Sequence, residues 1–266
     1  MDINKILIIR YGEVWLKSES VRRQFERVLT GNVRQLFSPG TRLITVPGRL
    51  WIHSDKIPSE LSKTFGVVSF SSALVCEKNL DEIKSVAKQI TKKWKSGTFA
   101  IRARRNDKSF SLNSRQLEIA IAEDVNLPVD LTNPKHELTV EIRDKAYLFE
   151  KTMRGPGGMP LGSAGKVAAY LRNSDDLIAA WLIMKRGAVT ILLDPSASLA
   201  KVLQRWSVGR RLKVAKTMKD ALKLGAQALV STSSENTSEN GAVILNPLVG
   251  FDNKEKVALL KRIRKI

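Results

Sequence analysis

The chain has 266 residues, of which 43% are hydrophobic and 27% charged, and this composition excludes a disordered or collagen-like protein. No apolar run approaches the roughly 20 residues that cross a bilayer, and a single cysteine, Cys76, excludes an internal disulfide framework. Lys and Arg number 45 against 26 Asp and Glu, a net charge of +19 that makes nucleic acid the first partner to consider. A generally basic background is the alternative. The first residues show no signal-peptide cleavage site, so we expect a cytoplasmic protein without membrane contact.

The first unit, residues 1–63, is predicted to be a small α+β domain. Apolar periodicity predicts strands at 6–10, 42–46 and 48–53, an amphipathic helix at 21–36, and a short helix at 57–61 with Pro58 in its first turn.

A second α+β unit is predicted over residues 64–154. The pattern favours strands at 66–72, 98–103, 138–142 and 146–149, and helices at 80–94 and 113–125. Residues 155–165 are rich in Gly and Pro and form the clearest predicted linker.

The third unit, residues 166–266, alternates strands and helices and therefore predicts a parallel α/β sheet. Strands are expected at 167–171, 189–193 and 228–230, helices at 175–186, 213–224 and 254–266, and an exposed loop at 231–240. Residues 151–266 carry 20 basic and 8 acidic residues, against 25 and 18 in residues 1–150, so the positive charge is concentrated in the C-terminal part.

A row of basic residues runs along the predicted strand at 98–103. Arg102 and Arg104 fall on one face of that strand, and Arg105 and Lys108 extend the row past its end. Guanidinium groups pair with phosphate oxygens, so the row is a candidate contact for a nucleic-acid backbone. A solvated edge strand, on which cations deter aggregation, explains the spacing equally well.

Residues that carry out catalysis are scarce. His53 and His136 fall in separate predicted units, so no Ser/His/Asp triad or metal site is expected. Cys76 follows an apolar run and is predicted to be a buried thiol. The strand-to-helix turn at 171–176 contains no glycine, and Ser174 or Asp175 is expected to cap the following helix.

Several segments are distinctive in combination. They are residues 9–13, 16–17 and 23–26; residues 65–66, 99–110 and 140–143; and residues 155–162, 165–166, 179–187, 210–211, 225–230 and 247–252. The three groups resemble the ferredoxin-like, THUMP and ATP-pyrophosphatase (PP-loop) domains of the tRNA 4-thiouridine synthase, or tRNA sulfurtransferase (ThiI-like), family. The resemblance implies an α+β ferredoxin-like and THUMP half, followed by a truncated Rossmann-like α/β domain.

The sequence departs from the family at the ATP-binding loop, whose pattern is Ser-Gly-Gly-x-Asp-Ser. The matching positions are Leu171, Arg172, Asn173, Ser174, Asp175 and Asp176. Only the aspartate, Asp175, remains as a candidate catalytic remnant. Side chains replace both glycines, where the backbone has to approach pyrophosphate, and Asp176 adds a negative charge. Ser231-Thr232 and Glu235-Asn236-Thr237 replace two further nucleotide-site motifs, Thr-Gly and Ser-Gln-Thr.

The resemblance therefore predicts a protein that binds the acceptor region of tRNA and whose PP-loop domain is degenerate. Expected phosphate contacts are Arg102, Arg104, Arg105 and Lys108, then Arg22, Arg23 and Lys145, with Arg172, Arg210 and Arg211 facing RNA from the former nucleotide loop. No cofactor is expected. The alternative is an active enzyme that uses ATP and Mg²⁺ to adenylate a tRNA uridine and takes sulfur from a donor protein. A homodimer and a complex with a catalytic paralogue both stay open.

Overall fold

In the computed structural model, residues 4–12, 18–232 and 238–265 are described. Part of the family-like segments, namely Glu13, Leu16-Lys17 and Glu235–Thr237, lies outside these residues.

The first half of the chain begins with a ferredoxin-like arrangement. Its elements are β1 (Asn4–Tyr11), α1 (Glu19–Arg34), β2 (Leu43–Val46), β3 (Arg49–Ile52), a 3₁₀ turn (Ser59–Lys63) and β4 (Val67–Cys76). The four strands pair antiparallel in the order β2-β3-β1-β4. The prediction of a helix at 57–61 was wrong in type and place. Pro58 precedes the 3₁₀ turn in an extended conformation, and Gly66, with φ of 96°, leads the chain into β4.

The same sheet continues into the second predicted unit. The added elements are α2 (Leu80–Thr91), β5 (Phe99–Arg105), α3 (Ser114–Ala122), β6 (His136–Ile142), β7 (Ala146–Phe149) and β8 (Met153–Arg154). The complete order is β2-β3-β1-β4-β7-β6-β5, with β8 paired to β4, so β2 and β5 form the two edges. Because β4 pairs with both β1 and β7, the two N-terminal units share one sheet.

The two faces of this sheet differ. On one face α1 packs over a core around Leu7 and Leu29, and α2 and α3 pack over a core around Ile101 and Leu117. The apolar cluster on the other face consists of strand residues alone among the described positions.

The Gly/Pro-rich segment at 155–165 has no regular element, as predicted, but it is tightly packed. The N–H groups of Gly155 and Gly157 donate to the carbonyls of Val68 and Val67, at 2.9 and 2.8 Å. A Cβ on Gly155 would lie 2.2 Å from the Val67 oxygen, so only glycine allows this approach. The segment is therefore a fixed connection.

The C-terminal domain is an α/β sheet with helices on both faces. Its elements are β9 (Lys166–Tyr170), α4 (Ser174–Lys185), β10 (Val189–Leu193), α5 (Ala197–Gln204), β11 (Lys213–Ala215), α6 (Met218–Lys223), β12 (Ala228–Val230), β13 (Ser238–Glu239), β14 (Ala242–Leu245) and α7 (Asn253–Arg264). The strand order is β11-β10-β9-β12-β14-β13, with all neighbours parallel except β13 and β14. The predicted parallel sheet is confirmed.

Two expectations for this domain were wrong, and two elements were missed. Residues 213–224 are not one helix, because residues 213–215 pair with β10 and Thr217 caps a separate α6 by accepting from the Asp220 N–H. The predicted loop at 231–240 includes β13. Helix α5 and strand β14 were not predicted, since they have only eight and four residues.

Aromatic packing joins the two halves of the molecule. Phe65, between the 3₁₀ turn and β4, lies in the core of the C-terminal domain, with its ring centroid 5.6 Å from Trp181 and 5.8 Å from Trp206. Asn32 of α1 donates to the carbonyl of Leu161 at 2.9 Å. These buried contacts fix the C-terminal domain against the ferredoxin-like part.

Candidate RNA interface and the α4 loop

One end of the eight-stranded sheet gathers several of the predicted basic residues. The pairing places the last residues of β4, β5 and β6 and the first residue of β7 at this end. Lys78 pairs with Asp107 across it, and Lys145 donates to Glu77 at 2.6 Å. Exposed Lys108 lies in the same loop as Asp107. The topology thus brings Lys108 and Lys145 to one end of the sheet.

The basic residues of β5 have different surroundings. Arg102 and Arg104 share the face opposite the α2–α3 core, as predicted, and Arg104 is exposed. Arg102 is half-buried, with Nε 3.4 Å from a Glu137 carboxylate oxygen and one NH2 group donating to the Leu131 carbonyl at 2.5 Å. Among these two residues, Arg104 is the guanidinium available to a ligand.

Arg105 organises its own loop. It is half-buried and donates two 3.0 Å hydrogen bonds, to the carbonyls of Phe110 and Leu112. These bonds satisfy backbone acceptors between β5 and α3. The sequence pattern places Arg105 in one row with Arg102 and Arg104. Its hydrogen bonds instead stabilise the loop between β5 and α3.

The two residues of α1 that were predicted to contact phosphates lie far from the basic residues of β5. Arg22 and Arg23 are on the helix that packs beside edge strand β2, whereas β5 forms the opposite edge. Arg23 is ion-paired with Glu19 one helical turn earlier. The structure therefore separates the predicted contacts into two groups.

A buried carboxylate that the sequence analysis missed joins the two N-terminal units. The Glu141 side chain is 1% exposed and lies 3.1 Å from Arg10 and from Arg49, and 3.6 Å from Arg143. Burial alone raises the pKa of Glu141, but the three guanidinium groups outweigh it and lower the pKa. The sequence of β6 gives no signal for this burial, because Glu141 continues the polar positions of an alternating strand that also holds Glu137 and Thr139.

The turn between β9 and α4 holds the residues that the resemblance aligned with a nucleotide-binding loop. Asn173, not the predicted Ser174 or Asp175, caps α4, because its side chain accepts from the Asp176 N–H at 3.0 Å. The Asp176 carboxylate, in a residue 3% exposed, accepts from the Arg172 N–H at 3.0 Å and from the Thr232 hydroxyl at 3.1 Å. The chain's own carboxylate thus uses donors at the start of the helix.

Further side chains cross the same turn. Lys256 of α7 donates to Asp175 at 2.8 Å, and Arg264 donates to the Ser174 hydroxyl at 3.3 Å. Leu171 is fully buried in the domain core. The Arg172 guanidinium lies 4.3 Å above the Tyr170 ring and 3.6 Å from Asp176.

The predicted pair Arg210-Arg211 is divided in its contacts. Arg210 donates from Nε to the Leu161 carbonyl at 3.2 Å, against Gly162 of the packed connection. Arg211 is exposed. In the described part of the chain, no group of three or more His, Cys, Asp or Glu residues is arranged to hold a metal ion. No helix in that part is long and apolar enough to cross a membrane.

Known proteins match both halves of this architecture. The sequence model of the ThiI ferredoxin-like domain matches residues 6–71, and that of the THUMP domain matches residues 77–149. A Saccharolobus islandicus protein named "Probable tRNA sulfurtransferase" is 30% identical over 281 residues, covering 97% of this chain and 69% of that protein. The chain belongs to the tRNA sulfurtransferase family.

Other members of the family are longer. A Caldanaerobacter subterraneus subsp. tengcongensis protein with the same name is 35% identical over 234 residues, which cover 79% of this chain and 61% of that protein. The chain thus spans about three fifths of the length of this relative.

Two solved structures share the fold. The Pyrococcus horikoshii protein PH1313 aligns with a TM-score of 0.82 and 26% identity over 97% of this chain and 99% of its own. A 4-thiouridine synthetase, solved as an RNA complex with bound ATP, aligns with a TM-score of 0.79 and 23% identity over 98% of this chain and 85% of its own. At that identity the second likeness concerns the fold alone.

Proposed function

We propose that this protein binds the acceptor region of tRNA through its ferredoxin-like and THUMP parts and acts as an accessory in tRNA modification. The observation that carries the proposal is the exposed cationic end of the THUMP sheet, with Arg104 on β5 and Lys108 and Lys145 in the adjoining loops. Cations placed on strand ends and loops grip phosphates without reading bases. The net charge of +19 adds attraction over a longer range.

We also propose that the protein lacks ATP-dependent adenylation activity of its own. A PP-loop holds phosphate oxygens with backbone N–H groups at the start of a helix. Here the Arg172 N–H donates to the buried Asp176 carboxylate, and α7 crosses the turn through Lys256. A phosphate group at this turn would face the negative charge of Asp176, and the Arg172 N–H that could bind it is already engaged. The residues of this turn therefore do not fit a nucleoside triphosphate. We assign no catalytic role to Asp175.

The family relationship favours one other function. Relatives named as tRNA sulfurtransferases suggest an active enzyme that adenylates a tRNA uridine with ATP and receives sulfur from a separate donor protein. The sequence has no cysteine after Cys76, so the C-terminal domain itself supplies no persulfide. As an accessory, the protein presents tRNA to a catalytic paralogue or works as a homodimer.

A titration of the purified protein with total tRNA at 50 and 200 mM salt, with and without Mg-ATP, tests both proposals. Contact with six to ten phosphates predicts a loss of about three to five decades in affinity between these salt concentrations. Mg-ATP should change neither tRNA affinity nor the melting temperature. A salt-insensitive affinity contradicts tRNA binding, whereas stabilisation by Mg-ATP contradicts the loss of nucleotide binding and supports the enzyme.

A further inference from the structure

A groove of about 650 Å³ lies between α1 and the edge strand β2, at the opposite edge of the sheet from Arg104. Its lining residues come from α1 except for Thr45, which belongs to β2. They are Arg23, Glu26, Arg27, Thr30, Gly31, Arg34 and Thr45. None of the expected cationic contacts on β5 lies in it.

A stripe of arginines on α1 is interrupted by one glycine. Arg23, Arg27, Gly31 and Arg34 recur at intervals of three or four residues and so share a helix face. Glycine in the middle of a helix costs about 1 kcal/mol relative to alanine. A Cβ on Gly31 would meet no atom within 4 Å, and its φ is not in the left-handed region. Neither packing nor backbone conformation explains this glycine, but it leaves a hollow between two arginines.

The groove has more donors than acceptors. Arg34 makes no side-chain hydrogen bond or ion pair within the part of the chain that the structure describes, and the buried Thr30 hydroxyl has no partner there. The acceptor Glu26 already receives the Tyr11 hydroxyl at 2.7 Å, and burial together with this contact raises the pKa of Tyr11. Arg23 is paired with Glu19, whereas Arg27 and Arg34 have no acidic partner among the described residues, and this excess of cations suits an anionic ligand with many oxygen acceptors.

The dimensions indicate an extended ligand. Arg23 and Arg34 are eleven positions apart, about 16 Å along the helix axis, which is longer than one phosphate group. None of the described residues that line the groove is aromatic, so this part of its surface offers no ring on which a base can stack. We infer that the α1–β2 groove binds the sugar–phosphate backbone of RNA independently of sequence. This inference rests on the proposed tRNA binding and adds a second contact region to it.

Two sets of variants test the inference with total tRNA as the probe. The double variant Arg27→Gln/Arg34→Gln should bind about tenfold more weakly and reduce the slope of log affinity against log salt by between about 1 and 2. The double variant Lys219→Gln/Lys223→Gln on α6 removes the same charge from another helix and is the matched control. The slope of log affinity against log salt for this control should stay within about 0.5 of the wild-type value, because removing two charges outside the groove changes only the screened long-range attraction.

Substitutions at Gly31 separate shape from charge. Gly31→Leu fills the hollow without altering any charge and should weaken tRNA binding about fivefold or more without lowering the melting temperature. Gly31→Ala should raise the melting temperature by a few degrees and leave binding within twofold. If wild type binds tRNA and both Gly31→Leu and the arginine double variant bind equally well, the groove inference is overturned alone. If wild type does not bind tRNA, the proposed function and this inference fall together.

Discussion

Two buried carboxylates, one in each half of the molecule, are compensated in different ways. Glu141 in the N-terminal sheet is surrounded by guanidinium groups from β1, from β3 and from the loop after β6. Asp176, in the first turn of α4 in the C-terminal domain, accepts from a backbone N–H and a hydroxyl, with one arginine at 3.6 Å. The first carboxylate joins segments distant in sequence, and the second fills the start of its own helix. Burial of an acid thus joins distant strands in one half and holds a single turn together in the other.

Removing the Glu141 charge should produce the largest effect. Glu141→Gln leaves Arg10, Arg49 and Arg143 without a counter-charge, and we expect a loss of about 3–5 kcal/mol in the free energy of unfolding at pH 7, measured by urea denaturation. The control Glu137→Gln removes a half-exposed carboxylate from the same strand and should cost less than about 1 kcal/mol. Equal losses in the two variants would contradict the special role of Glu141.

The difference in stability between wild type and Glu141→Gln should also depend on pH. Because folding lowers the pKa of Glu141 below its usual 4.5, its contribution is complete above that pH and disappears as the pH falls through the folded-state pKa. The difference in stability between wild type and Glu141→Gln should therefore be constant from pH 7 to about pH 5 and shrink at lower pH. A difference that grows on acidification would reverse the sign of this argument.

The carboxylate in the α4 turn should matter less for stability and more for anions. Asp176→Asn keeps the shape, loses the charge-assisted bonds to Arg172 and Thr232, and should cost about 1–3 kcal/mol. Inorganic pyrophosphate should then stabilise the variant against heat while leaving wild type unchanged. Asp175→Asn, which alters an exposed partner of Lys256, is the control and should show no pyrophosphate effect. Stabilisation of wild type by pyrophosphate would show that Asp176 does not fill the site.

The smallest effects are expected at two adjacent arginines, Arg104 and Arg105, whose substitutions should change different properties. Arg105→Gln removes the donor to two loop carbonyls and should cost about 1–2 kcal/mol of stability. Arg104→Gln should change stability by less than about 0.5 kcal/mol, yet reduce the salt slope of tRNA binding by about 1. If Arg105→Gln leaves the unfolding free energy unchanged, its assignment as a loop support is wrong.

Local sequence patterns predicted most of the elements because they are long or strongly periodic. Helix α1 and strands β1, β3 and β10 have clear apolar periodicity, and the motifs of the first half indicated the family that the comparisons confirm. Short segments failed, since β11 has only three residues and its strand character comes from pairing with β10. The same limit applies to the short strand β14.

The sequence by itself determined the fold class, the family and the excess of positive charge, because these depend on composition, periodicity and motifs along the chain. Only the tertiary structure decided which cation is available and which is engaged. Arg104 and Arg105 are neighbours in sequence, but strand alternation and two carbonyls of the following loop give them opposite surroundings. The partners of Glu141 lie up to 131 residues away, so no local pattern contains them. Contacts that form only on folding therefore set the electrostatics of each site, and at Glu141 they are long-range.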